Sequence, residues 1–235
     1  MTLFRANSRA ELQQREWSLL TILLLSLVTW LCVTHALQRV DHLIHDAGGR
    51  LHAPKANPNI VIVAIDDRSI EAIGRWPWRR ALHAQLIDNI SHHAPKAIGF
   101  DVLFAEEDAD YPGDDLVLAS SIARSGRVVL PLTRRADHWQ ASIDAPLPLI
   151  REGAAQLGHV HVQVDSDGVA RRLFLYEGPQ ESPRPHLRLA MLCAAGETLE
   201  GCDGSRVPGP GKHWVQEKLR VIPFASGPRD APVFT

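Results

Sequence analysis

Cysteine is scarce in this chain, three in 235 residues, too few to staple a fold in place of a hydrophobic core. Charge of one sign is missing as well: 25 Lys and Arg stand against 27 Asp and Glu. A nucleic-acid binder would carry a basic excess, so no nucleic-acid partner is expected. There are no internal repeats or low-complexity runs, and the sixteen Gly and sixteen Pro are scattered, which excludes a fibrous or collagen-like chain. A G-x-S-x-G elbow, a phosphate-binding P-loop, an H-E-x-x-H helix and a dinucleotide glycine fingerprint are all lacking. No catalytic residue, cofactor or resident metal is therefore expected, and the chain reads as a non-enzyme.

What the sequence does have is one long apolar run. From Trp17 to Leu37 no Asp, Glu, Lys or Arg occurs, and as a helix this run would be roughly 30 Å long, the thickness of a bilayer core. Arg5, Arg9 and Arg15 precede it while Arg39, Arg50 and Lys55 follow, so the positive-inside rule does not choose an orientation. Thr34 and Ala36 resemble a small-residue cleavage site, but the run exceeds a signal-peptide core and an uncleaved anchor is expected.

Beyond the anchor, Val40, Leu43, Ile44 and Ala47 form a helical stripe expected to end at Gly48-Gly49, followed by a Pro- and Asn-containing linker. Asn59 to Ile65 and Ala97 to Phe104 read as strands buried on both faces. Between them Ala81, Leu82, Leu86 and Ile90 mark one face of a helix. A second helix is expected from about Asp114 to Arg124, stopped at Gly126, and a third strand from Arg127 to Leu132. Strand-helix-strand-helix-strand predicts parallel pairing. His159 to Val164 alternates strictly and, with the turn Asp165-Ser166-Asp167-Gly168 and Val169 to Tyr176, predicts a half-exposed hairpin. A helix near His186 to Ala195 and a strand near Leu219 to Phe224 follow. The fold class is α/β: a mixed, largely parallel sheet flanked by helices, plus a β-hairpin and one N-terminal transmembrane helix.

Several clusters are candidates for chemistry. Asp66, Asp67 and Asp101 come from the ends of two strands expected to be neighbours, the edge at which open α/β sheets bind ligands; they would hold a ligand or cation, or else cap helices. Arg75, Trp76 and Trp78 set indoles beside guanidinium groups, suited to lining a ligand pocket or to wedging against the sheet. His159 and His161 share one face of a strand and supply half of a metal site; with no third ligand at a telling spacing, solvent exposure is the expectation. Cys193 and Cys202 would pair in an oxidising compartment, or remain a helix thiol and an unrelated loop thiol.

The segments NIVIVAIDDRSIEAIGRWPWRRALHAQLIDNI, PKAIGFDVLFAEED, GRVVLPL and LGHVHVQVDSDGVARRLFLY, in this order, resemble the type-two CHASE domain, the cyclase- and histidine-kinase-associated sensory extracellular domain of bacteria. The resemblance covers residues 38 to 224, led in by Asp41-His42-Leu43-Ile44-His45-Asp46. It implies an extracytoplasmic sensor on a single-pass anchor in the bacterial inner membrane, the bulk of the chain being periplasmic. It also implies an unidentified ligand and a homodimer or output partner. The expected division is a cytoplasmic tail over 1–16, the membrane helix over 17–37, a juxtamembrane helix and linker over 38–58 and the sensory domain over 59–235. Relatives continue into further membrane helices and an output module. This sequence has no second apolar run before Thr235 and lacks the family's further strand, so the domain is expected to be incomplete at its C-terminus. Three functional readings stand: a sensory input domain, an anchored divalent-metal enzyme using Asp66, Asp67 and Asp101, and a non-signalling remnant.

Overall fold

The computed structural model describes residues 4–33, 38–51, 57–136, 141–199, 202, 213–222 and 233–234. The chain divides into two units, 1–62 with 223–234, and 63–222.

In the first unit, helix α1 spans Phe4–Val33 and helix α2 spans Gln38–Leu51. The stretch Gln13–Val33 is 21 residues long, apolar enough to cross a bilayer, and entirely unburied. Its hydroxyls are satisfied within the helix, Ser18 Oγ donating to Gln14 O and Thr21 Oγ1 to Trp17 O, the pairing a lipid environment demands. Thr34 to Leu37, including the cleavage-like Thr34 and Ala36, lie outside the described residues. Helix α2 runs through Gly48-Gly49 instead of stopping there; a helical glycine costs only about 1 kcal/mol relative to alanine, so two do not force a break. Of the expected stripe, Val40 and Leu43 have side chains outside those described, and Ile44 and Ala47 are exposed.

The β-branched run after Pro58 departs from expectation. Only Ile62–Val63 (β1) is a strand. Its residues are exposed, Ile60 and Val61 each at 57%. Composition gave this run strand character, but burial needs covering elements on both faces, and none is found among the described residues.

The second unit is built around two sheets. Strand β2 (Ile98–Gly99) and strand β5 (Gln156–His159) both pair in parallel with β3 (Val128–Ala136), and β4 (Ala141–Asp144) runs antiparallel to the outer half of β3. Helices α4 (Arg80–Ser91) and α5 (Pro112–Ser125) pack on one face, where Ile87, Leu118, Ile122, Val128, Leu130 and Leu157 form the core. The buried face of α4 is His83, Ala84 and Ile87, with Leu86 and Ile90 at its border, a turn of the helix away from the expected Ala81 and Leu82. Helix α5 starts with Pro112, which needs no amide partner there, and ends at Gly126, φ 59°. The short helix α6 (Pro148–Arg151) packs against α5, and the opposite face is covered by α7 (Leu187–Ala194). A Cβ on Gly158 would lie 2.6 Å from Leu187 Cα, so only glycine lets this helix come so close.

In the second sheet β7 (Ala170–Pro179) is central. Strand β9 (Trp214–Val221) lies on one side, and β6 (Gln163–Val164) and β8 (Arg184–Pro185) lie on the other, all antiparallel. Strand β9 is the expected last strand shifted toward the N-terminus; Pro223 and Phe224 lie outside the described residues. A single parallel bridge, His159 to His186, joins the two sheets. The fold is α/β with a mixed sheet, flanking helices and the hairpin about Asp165 to Gly168, where Arg171 donates to both Asp165 and Asp167.

Candidate functional site

Strand β5 is one of the parallel strands, so its last residue is delivered to the carboxyl edge of the sheet with both faces already covered. That residue is His159, only 3% exposed. The chain then leaves β5 and re-forms as β6 after three residues, which breaks the alternation expected through Val164. Val162 and Val164 are 45% and 59% exposed, while His159 faces inward and His161 is half-buried. The expected solvent exposure of the two histidines is thus reversed. A period-two pattern shows that faces alternate, but not which face is covered.

Around His159 stand three other groups. The ring of His186, one residue before α7, lies edge-on with centroids 5.0 Å apart, and the His161 ring lies at 5.8 Å. The third is Glu177 of β7, also 3% exposed. Glu177 Oε1 accepts from Trp214 Nε1 at 2.9 Å and sits 3.2 Å from His161 Nδ1. The other nitrogen of His161, Nε2, accepts from the backbone N–H of Arg134 at 2.7 Å. Neither nitrogen of His159 and not Oε2 of Glu177 has a hydrogen-bond partner. A hollow of about 10 Å³ opens between these side chains, walled by Leu132, Thr133, Ile143 and Arg184; it has room for about one water-sized particle.

Burial sets the protonation here. It holds His159 down to about 3, with the neighbouring His186 adding to the effect and Glu177 opposing it. Burial also lowers His186, helped by Arg188 and opposed by Asp101. For Glu177 burial pushes upward, but the close approach of His161 and the indole bond outweigh it, and its carboxyl stays below the usual range. At neutral pH His159 and His186 are therefore uncharged imidazoles beside a carboxylate, groups of the kind that borderline cations take as donors.

The profile of the CHASE2 domain matches residues 19–227. The chain belongs to this family. CHASE2 domains are sensory extracellular domains, and the apolar α1, within which the match begins, is consistent with membrane anchoring. No curated protein and no solved structure matches the chain.

Within the CHASE2 domain the expected site residues are distributed differently. Asp66 is the N-cap of α3 (Asp67–Ile73): its carboxylate accepts from Ser69 N and the Ser69 hydroxyl accepts from Asp66 N, which lowers its pKa. Asp67 is exposed in the first helical turn. Asp66, Asp67 and Asp101 do not form a group of converging donor atoms among the described residues, whereas His159, His161 and Glu177 do. Arg75 is exposed. Trp76 and Trp78 meet edge to face at 5.6 Å, and Trp78 Nε1 donates to Gly74 O. Trp76 also meets the buried His83, which meets Phe100, each at about 5.5 Å. This chain of rings reaches the residue beside Asp101, which is exposed and acts electrostatically on His186. Cys193 and Cys202 form a disulfide with Cα atoms 5.5 Å apart.

Sequence reasoning missed Glu177, His186 and Trp214. The spacing His159-x-His161 was the one available signal; its third partner lies on a strand whose register the sequence does not reveal.

Proposed function

We propose that this chain is the signal-input part of a bacterial membrane receptor. Its helix α1 spans the inner membrane once, and the CHASE2 domain stands on the periplasmic side. A small solute or protein partner binds the domain and biases the membrane helix, and an output module reads that bias. The observation that carries this reading is the family match over residues 19–227 together with the apolar stretch Gln13–Val33, none of whose described residues is buried. Coupling of this kind requires a ligand with different affinities for two arrangements of the domain.

Arg75, Trp76 and Trp78 remain the proposed ligand-contacting loop, with Asp66, Asp67 and Asp101 at its flanks. The aromatic contacts from Trp76 through His83 to Phe100 support it, because they connect that loop to the end of β2. An enzyme built on Asp66, Asp67 and Asp101 gains no support, since the three are not among the converging donor groups of the described residues.

Orientation is tested by fusing, after Ile222, a reporter active only outside the cytoplasm. Activity of that fusion is the expected result; activity of a cytoplasmic reporter at the same position overturns the reading. Binding is tested by thermal unfolding of the full chain against a panel of periplasmic solutes, with Trp76→Ala expected to abolish any ligand-induced rise.

A further inference from the structure

Most buried polar side chains in folded proteins find hydrogen-bond partners. His159 does not. It sits at 3% exposure with both ring nitrogens unpaired, at a position where a leucine would fill the same space without desolvating two polar atoms. Two neighbouring donor groups share the same hollow, Glu177 with an unpaired Oε2 and His161 with Nδ1 turned toward Glu177, and the buried Arg184 guanidinium also lines it. One donor atom from each of the three lies within 4.8 Å of the others. The 3.2 Å between His161 Nδ1 and Glu177 Oε1 is close to the ~3.3 Å edge of a tetrahedron with bonds of about 2.0–2.1 Å.

We propose that His159, His161 and Glu177 bind one divalent d-block cation of the zinc class, leaving a coordination position open toward the hollow. Two imidazoles and one carboxylate favour such a cation over calcium or magnesium, which take oxygen ligands. Trp214 serves the site from behind: its N–H on Oε1 fixes the orientation of the carboxylate, as outer partners of metal ligands do. The inference does not depend on the receptor reading; it holds whether or not the cation is the signal.

Uptake has a defined proton path. Because Arg134 N–H donates to His161 Nε2, the neutral ring carries its proton on Nδ1. Coordination through Nδ1 moves that proton to Nε2, which then gives up the Arg134 amide. Occupancy of the site is thereby linked to the main chain of β3.

The test uses the full chain in detergent micelles, stripped with chelator and titrated with Zn²⁺ against a chromophoric competitor. Co²⁺ is then added in place of zinc to report ligand geometry. One equivalent bound at micromolar or tighter affinity is expected, with the intense visible bands of a four- or five-coordinate Co²⁺ site. Glu177→Gln and His161→Gln are each expected to weaken binding by about ten-fold or more, while His93→Gln, at an exposed position away from the cluster, leaves it unchanged. No binding by the wild-type chain overturns the proposal, as does a six-coordinate Co²⁺ spectrum, or binding that survives both substitutions. The wild-type Co²⁺ spectrum decides even if a variant fails to fold.

Discussion

Trp214 Nε1 donates to Glu177 Oε1 at 2.9 Å, across two antiparallel strands in which Glu177 is registered against Gln216 and Trp214 against Pro179. The two are diagonal neighbours on one face of the sheet, close enough for a long side chain to bridge. This contact holds a carboxylate in place beside His161 at 3.2 Å, and so ties the edge strand β9 to the buried cluster.

Trp214→Phe removes the donor while keeping most of the apolar surface. A hydrogen bond to a charged acceptor contributes about 1.5–3 kcal/mol, and the variant is expected to lose stability of that order in denaturant unfolding. An unchanged midpoint would show that water replaces the indole without loss.

Acidification is expected to destabilise the domain well before ordinary carboxylates titrate. His159 is held at about 3 in the folded protein against an ordinary 6.5. Between those values the unfolded chain takes up a proton that the folded one excludes, so stability is full above about pH 6.5 and falls as pH drops toward 3. His83 and His186, both lowered by burial, act in the same direction. The lowered Glu177 adds its share as the pH falls below the usual carboxylate range. The groups facing His159 are His161, His186 and Glu177, with the buried Arg184 lining the same hollow. Unfolding midpoints measured from pH 8 to pH 4 check this, and His159→Gln is expected to flatten the profile.

The bond between Cys193 and Cys202 closes a loop of nine-residue separation. Loop-closure entropy gives it about 2.5–3 kcal/mol of stabilisation, lost in Cys193→Ser. Thiol labelling of the unfolded, unreduced chain is expected to find one free cysteine, Cys32, the remaining unpaired thiol. Three labelled thiols in protein isolated from membranes would place the domain in a reducing compartment and contradict the proposed orientation.

Two of the ion pairs that join helix α4 to α5 lie in different settings, and their losses should differ. Asp115 is buried with Arg80 half-buried over it, whereas Arg124 is exposed and Asp88 half-exposed. Breaking a buried pair strands a charge and costs roughly 3–5 kcal/mol, but an exposed pair contributes about 0–1 kcal/mol. Asp115→Ala is therefore expected to destabilise far more than Asp88→Ala, as thermal unfolding of both variants would show. Equal losses would mean that water reaches Arg80.

The elements that declared themselves in the sequence are those whose signal is local. Twenty-one uncharged residues after Glu16 specify a membrane-length helix because hydrocarbon excludes charge whatever surrounds it. Asp66 and Ser69 form a capping box, and Gly126 ends a helix, because both satisfy backbone groups within four residues. The parallel pairing of β2 and β3 was likewise readable from the intervening helix.

Burial and convergence were not local. Asn59 to Ile65 and His159 to Val164 have strand composition, yet the first is exposed and the second turns His159 inward. Nothing within either segment says which face another element will cover. Asp66, Asp67 and Asp101 were readable as strand-end acids, but which of them would cap a helix, as Asp66 does, was decided by the fold. His159, His161, Glu177 and Trp214 meet only because β7 pairs with β9, setting Trp214 on Glu177 37 positions away, while the end of β5 is bridged to the second sheet through His186. The sequence by itself determined the anchor, the α/β class and the local caps, since these follow from contacts within a turn or a strand. Only the tertiary structure decided where the unpaired polar atoms lie, because strand register and the covering of a sheet face are settled between elements distant in the chain.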